Sequence, residues 1–266
     1  MHSTRFTILP TTLLEDHSAA LATTPLHTVS DLVESELSID TFSFYTSVSA
    51  VYSSRIEGEE IELDSYVKHK RFGISFLPDH TRKIDDLYDA YQYAKVNVCD
   101  REGIMAAHAL LTRHILPTAQ QGRPRTSTMY VTTGSGRIEY VAAAPASVEE
   151  ELRKFFEDLA ALRAMDLSLP EVFYFASMLH LVFVKIHPFD DGNGRCARLL
   201  EKWFLAEKLG EKVWLLQSEK YYYRHHQRYY AHIRLLGLEY ETLDYGAALP
   251  FLLMLPASLT MHEQEP

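Results

Sequence analysis

The run His187-Pro188-Phe189-Asp190-Asp191-Gly192-Asn193-Gly194-Arg195, followed by Arg198, decides the reading of this chain. Residues 172–186 before it are apolar nearly all round, as a central buried helix would be. After it a new helix is expected from about Asn193 to Leu209, where Gly210 stops it. The string therefore joins a buried helix to the start of the next one. Unpaired backbone N–H groups and the positive end of the macrodipole make such a start an anion site. Gly192 and Gly194 let the backbone approach phosphate oxygens with no side chain in the way. Arg195 and Arg198 stand at i and i+3, on one helix face, where two guanidinium forks bind separate phosphates. Asp191 adds a hard oxygen ligand suited to Mg2+ held largely by phosphate and water. His187, with an ordinary pKa near 6.5, suits proton removal from a hydroxyl. Phe189 is expected to anchor the loop in the core. A base, a metal-binding carboxylate, an anion-binding turn and two cations point to chemistry on a polyphosphate.

Working outward, helical spacing dominates. Helices are expected over 41–57, with Phe44, Val48, Val51 and Tyr52 on one face and Gly58 as its cap, and over 85–98, 103–114 and 147–165. Ser168-Leu169-Pro170-Glu171 has the form of a capping box, and 221–236 reads as one further helix. Only 122–145 changes character, with two β-prone runs about Gly134-Ser135-Gly136. That is a hairpin with no sheet to join, hence an exposed flap.

Composition narrows the function classes. The 266 residues are 47% hydrophobic, enough to bury a sizeable core. A net charge of -10 disfavours general nucleic-acid or anionic-membrane binding, which needs a basic face. Cys99 and Cys196 are far apart without metal-ligand spacing, so a reducing, cytoplasmic setting is expected. The N-terminus lacks a basic segment leading into an apolar run, and no apolar stretch reads as long enough to cross a bilayer. His225, His226 and His232 lack a completing Cys or carboxylate and read as surface or packing histidines, and Cys196 as a packing thiol.

Every position of 187–195 resembles the signature HPF-x-[DE]-G-N-[GK]-R of the Fic (filamentation induced by cAMP) family, and Arg198 resembles its adenylyltransferase branch. The resemblance is specific over 168–209. It implies an all-α fold, a mainly helical Fic core with a small β-hairpin flap. It also implies transfer of AMP from Mg-ATP to a Ser, Thr or Tyr hydroxyl, with release of pyrophosphate. On that footing His187 is the general base and Asp191 the Mg2+ ligand. Gly192, Asn193 and Gly194 form the anion hole, and Arg195 and Arg198 hold the γ- and β-phosphates.

Ser53-Ser54-Arg55-Ile56-Glu57-Gly58 is similar to the family's inhibitory pattern [ST]-x-x-x-E-[GN]. A carboxylate in the last turn of a helix is disfavoured by the macrodipole by ~0.3–1 kcal/mol, so Glu57 gains from a cationic partner. The resemblance implies Arg195 as that partner, with Ser53 bracing Glu57. The implied layout is 1–95 as a region carrying the inhibitory helix (about 41–58), 96–255 as the catalytic core with its flap (about 122–145), and 256–266 as a tail.

The flap departs from the family's G-x-[YF]-R-x-x-x-V-x-[VI] pattern: Pro124 replaces the aromatic residue, Met129 replaces a β-branched one, and Ala144-Pro145 keeps one of two prolines. Met129 and Val131 are expected beside the nucleotide, and the flap to clamp an extended target segment by strand addition. Tyr229 and Tyr230 resemble a tyrosine pair on the nucleotide side, with core packing the alternative among 16 tyrosines. ATP and Mg2+ are the implied substrate and cofactor, and a hydroxyl-bearing target protein the partner. Self-modification and a homodimer stay open, with no nucleic acid or membrane partner. The alternatives are a deadenylylase in which Glu57 orients water, and a non-catalytic nucleotide-binding regulator.

Overall fold

The structure is a computed structural model, and it describes residues 6–22, 32, 41–74, 76–132 and 138–259. The buried stretch before the signature forms α7 (Leu169–Ile186), whose side chains from Val172 to Ile186 are buried except Val184. Its capping box forms, with Glu171 Oε2 accepting from the Ser168 N–H at 2.7 Å. By length and composition α7 could cross a membrane, contrary to the sequence reading. In the fold 78% of it is buried, against α8 (Asn193–Leu209), α1 (Leu14–Ala22) and α6 (Pro145–Ala164).

Most of the segment expected to be a helix over 41–57 forms α2 (Thr41–Ile56), which packs on α4 (Pro78–Val96) and α9 (Ser218–Arg224) and reaches α8. Three pairs spaced four residues apart match across α2 with its following residue and α8, which run antiparallel. Ser49 Oγ accepts from Lys202 Nζ at 2.7 Å and Ser53 Oγ accepts from Arg198 Nε at 2.8 Å. Glu57 then lies against Gly194, where an added Cβ would stand 2.6 Å from its Oε1. Burial makes this ladder directional, because each step satisfies a donor that water cannot reach. Glu219 closes the far end, accepting from Lys202 at 2.5 Å and from the Tyr91 hydroxyl at 2.6 Å.

Elsewhere α4 starts seven residues earlier than expected, at Pro78, because proline suits the first turn. The short helix α3 (Leu63–Phe72) precedes it, and α5 (Arg101–Leu111) follows, capped by Asp100. The expected helix over 221–236 is broken into α9 and α10 (His226–Arg234). At the break His225 Nδ1 donates to the Tyr221 carbonyl at 3.0 Å, competing with the helical ladder.

The flap strands are β1 (Tyr130–Thr132) and β2 (Ile138–Val141), antiparallel, with Val131 opposite Tyr140 and an irregularity after Val131. The Gly134-Ser135-Gly136 turn lies outside the described residues. The hairpin is not wholly unsupported, since the Val141 N–H donates to Leu238 O at 2.8 Å and Val141 bridges Glu239 in parallel.

Candidate active site

Where α7 ends, His187 adopts a left-handed backbone (φ 52), rare for a residue with a side chain. Its N–H still caps the helix on Phe183 O at 3.0 Å. Its Nδ1 donates to Val184 O at 3.2 Å, which leaves Nε2 without a proton. Burial, the largest influence, pushes the imidazole down to about 4. Nearby Arg125 adds to that, while the Val184 carbonyl, Glu57 and Asp191 oppose it. The ring is neutral at pH 7 by a wider margin than its ordinary pKa suggests.

The loop is held by its own residues. Asn193 Oδ1 accepts from the Phe189 N–H at 2.9 Å, and its Nδ2 donates to Phe189 O at 2.8 Å. Its side chain thus spans the loop, and its backbone N–H is what remains for the expected anion hole. Gly192 (φ 79) precedes α8, and the first helical bond runs from Cys196 N to Gly192 O at 2.9 Å. The N–H groups of Asn193, Gly194 and Arg195 therefore have no partner one turn back. Phe189 is fully buried, stacked on His108 with centroids 3.5 Å apart.

Two residues outside the 187–198 signature fix this loop. His108 Nδ1 accepts from the Gly122 N–H at 2.9 Å, so Nε2 carries the proton and donates to Asp191 O at 2.9 Å. Burial drives this imidazole also to about 4. Arg125, 2% exposed, donates from Nε to His187 O at 2.7 Å. Its other nitrogens donate to Ser127 O and Ala143 O, both at 2.6 Å, stapling both flap roots to the end of α7.

The ion pair at the signature differs from the expectation. Glu57 Oε1 accepts from Arg198 NH2 at 2.6 Å, not from Arg195. The α2–α8 ladder explains it. Steps of four from Lys202 reach Arg198 and Gly194, whereas Arg195 is turned about 100° away from Gly194. Ser53 likewise braces the arginine and not Glu57, its hydroxyl and carbonyl taking Arg198 Nε at 2.8 Å and NH2 at 3.0 Å. Burial would raise the Glu57 carboxyl. The charges of Arg198 and Arg195, the Arg198 hydrogen bond and His187 outweigh it, holding the carboxyl below its ordinary value. Arg198 is 1% exposed; burial opposes its charge, but Glu57, with Tyr229 and Tyr230, raises its pKa above the usual arginine value.

Arg195 is buried at 6% exposure, and its Nε and NH1 have no hydrogen-bond partner. Its NH2 lies 3.7 Å from Glu59 Oε1. A guanidinium buried with open donors is costly unless an anion completes it. Asp191 is exposed, with Oδ1 taken by the Gly192 N–H at 2.5 Å. Among the described residues no group of three or more His, Cys, Asp or Glu gathers about a common point. One exposed carboxylate near His187 fits a Mg2+ ion whose remaining ligands are phosphate and water.

A cleft opens over this cluster. Glu57, His187, Gly194 and Arg198 form its polar side; Val131, Tyr140, Tyr230 and Ile233 its apolar side. Met129 is not on its wall; its carbonyl accepts from the Ala142 N–H at 3.1 Å at the flap base. Tyr229 reaches the cleft and also packs in the core, its hydroxyl meeting His180 Nε2 at 2.9 Å and Arg198 NH1 at 3.4 Å. Lys185 was not anticipated: it borders the cleft, Nζ lying 4.1 Å from the Tyr140 ring centre, and burial lowers it to about 8.

A helical protein with an anion site between α7 and α8, under a hairpin, is of a recognisable kind. Residues 98–205 match the Fic/DOC family. A curated relative, Protein adenylyltransferase Fic of Nematostella vectensis, is 32% identical over 102 residues. That match spans 37% of this chain and 21% of the relative. Among solved structures, a Fic family protein from Desulfovibrio desulfuricans superposes with TM-score 0.71 at 18% identity, covering 96% of this chain and 73% of the other. A Fic domain containing signaling protein from Bacteroides thetaiotaomicron gives 0.62 at 18%, covering 92% and 91%. Fic-1 from C. elegans gives 0.61 at 18%, covering 94% and 69%. At such identities these likenesses bear on the fold alone.

Proposed function

We propose that the chain is a Fic-type transferase, a self-inhibited protein adenylyltransferase moving AMP from Mg-ATP to a protein hydroxyl. The observation that carries the reading is the charge arrangement at the head of α8. Arg195 is buried with open donors, and Arg198, engaged by Glu57 at 2.6 Å, shares the cleft wall with a neutral histidine.

In this reading Arg195 and Arg198 take the β- and γ-phosphates between them, helped by the first N–H groups of α8. A hydroxyl presented beneath the flap gives its proton to His187 Nε2 as its oxygen bonds to the α-phosphorus. The bond from that phosphorus to the bridging oxygen breaks, and pyrophosphate leaves with its charge on the two arginines. Asp191 would hold Mg2+, which would supply further charge neutralisation. Glu57 opposes this by keeping Arg198 and covering Gly194. Its inhibitory partner is thus Arg198, and Ser53 holds that arginine in place.

The test incubates wild type and Glu57→Gly with Mg2+ and α-labelled ATP in cell lysate. Label on proteins only in the Glu57→Gly sample, lost again with His187→Ala, is the expected result. No label from either form sinks the forward reaction; release of AMP from a modified protein, dependent on Glu57, would instead establish the reverse one.

A further inference from the structure

The turn after α2 carries two carboxylates, and they meet the two arginines in different ways. Gly58 (φ 92) ends the helix, with the Glu59 N–H on Ser54 O at 3.1 Å and the Gly58 N–H on Arg55 O at 3.1 Å. That double bond pattern fixes the residues on both sides of the glycine. Glu57 takes an arginine N–H directly. Glu59, 6% exposed, stands back from Arg195 at 3.7 Å, beyond hydrogen-bond range. Lys83 from α4 holds it there, Nζ at 2.9 Å from Oε1, and His80 Nδ1, which accepts the Glu60 N–H at 3.1 Å, lies 2.8 Å from Oε2.

The consequence is a guanidinium with a counter-charge but open donors. Glu59 offsets the Arg195 charge through space and favours one orientation of the fork. Because Lys83 draws Oε1 to itself and Glu59 stays 3.7 Å from Arg195 NH2, it does not consume the donors at Nε and NH1. A carboxylate competing with phosphate would sit where Glu57 sits, in direct contact. We infer that Glu59, anchored by Lys83, is a positioning residue that holds Arg195 ready for the terminal phosphates of a nucleoside triphosphate. This rests on the transferase reading above, and gives the two acidic residues of one turn opposite effects on nucleotide affinity.

The experiment measures binding, apart from transfer. Calorimetric titrations of Mg-ATP and of AMP are made on the full chain carrying Glu57→Gly, with and without Glu59→Gln. Glu59→Gln is expected to weaken Mg-ATP roughly tenfold and to leave AMP, which has no β- or γ-phosphate, within about twofold. In an Arg195→Ala background the effect on Mg-ATP should vanish, since the group being positioned is gone. AMP affinity also serves as the control for folding. Unchanged Mg-ATP affinity overturns the proposal, as does an equal loss for AMP or a loss that persists without Arg195. Tighter Mg-ATP binding overturns it too, and would make Glu59 a second brake. If Glu57→Gly binds Mg-ATP with the expected pattern yet labels no protein, the transferase reading fails while the role of Glu59 stands. Absence of any Mg-ATP binding to Glu57→Gly overturns both.

Discussion

Replacing Glu57 by alanine should trade stability for nucleotide affinity, and the structure gives both magnitudes. Its Oε1 is 2.6 Å from Arg198 NH2, and the side chains are 28% and 1% exposed. A charge-assisted hydrogen bond of this kind is worth roughly 1.5–3 kcal/mol net. An anion over the first turn of α8 adds about 0.3–1 kcal/mol. A terminal phosphate must displace both contributions, about 2–4 kcal/mol together. At about 1.4 kcal/mol per tenfold, Glu57→Ala should tighten Mg-ATP binding from about 30-fold to several hundredfold. AMP lacks the phosphates that would meet Arg198 and should gain less than about threefold. The ligand-free protein should lose only roughly 1–2 kcal/mol, because Ser53 and Tyr229 remain on Arg198 and Glu57 is partly in water. Calorimetric titration with both nucleotides, beside thermal unfolding without ligand, reads all three quantities. Glu57→Gln keeps the shape and an acceptor, and should fall between, near tenfold. A gain in ATP affinity below about fivefold, or an equal gain for AMP, would refute the argument that Glu57 competes with the terminal phosphates.

Three further outcomes are expected. In the Glu57→Gly background, His187→Ala should lower transfer by at least about 10²-fold while leaving the Mg-ATP Kd within about threefold, by kinetics and calorimetry. The acid limb of kcat/KM in that background should lie well below 6.5, towards the value of about 4 held by burial, since His187 must be unprotonated to accept a proton. An acid limb at the ordinary histidine pKa would contradict the buried, neutral ring. His108→Ala should cost roughly 3–5 kcal/mol in chemical unfolding, having left the Gly122 N–H and the Asp191 carbonyl without partners and a cavity against Phe189. His108 has a depressed folded-state pKa, so its contribution is fully present above 6.5 and is lost as pH falls from 6.5 towards 4. The variant should accordingly show a shallower loss of stability across that window.

The parts that sequence made legible are those whose signals are local. A buried helix, its capping box, a glycine-bearing junction and Gly210 all announce themselves within a few residues, and α7 and α8 begin or end within a few residues of where those signals put them. The partner of Glu57 was not legible in that way. Arg195 and Arg198 share a face by spacing alone, and choosing between them requires the register of α2 against α8. Ser49, Ser53 and Glu57 set that register only once the helices are packed. Arg125 stands at the arginine position of the flap pattern, yet its bond to His187, 62 residues away, is not legible there, and His108 is a single polar residue in an ordinary string, bonded to a loop atom 83 residues away. The break at His225 was missed because a side chain competing for a carbonyl leaves the hydrophobic period intact.

The carboxylate against Gly194 also means that the head of α8 is never without an anion. Nucleotide arriving there performs an exchange, one negative group leaving as another enters, with little change in the local charge count. Binding to the resting chain should therefore vary gently with ionic strength, as exchange on a resin does when both ions carry similar charge. Once the resident carboxylate is gone, the same step becomes a net neutralisation of uncompensated positive charge, and its salt dependence should steepen. The slope of affinity against salt would then report, without any chemistry, whether α2 still occupies its post.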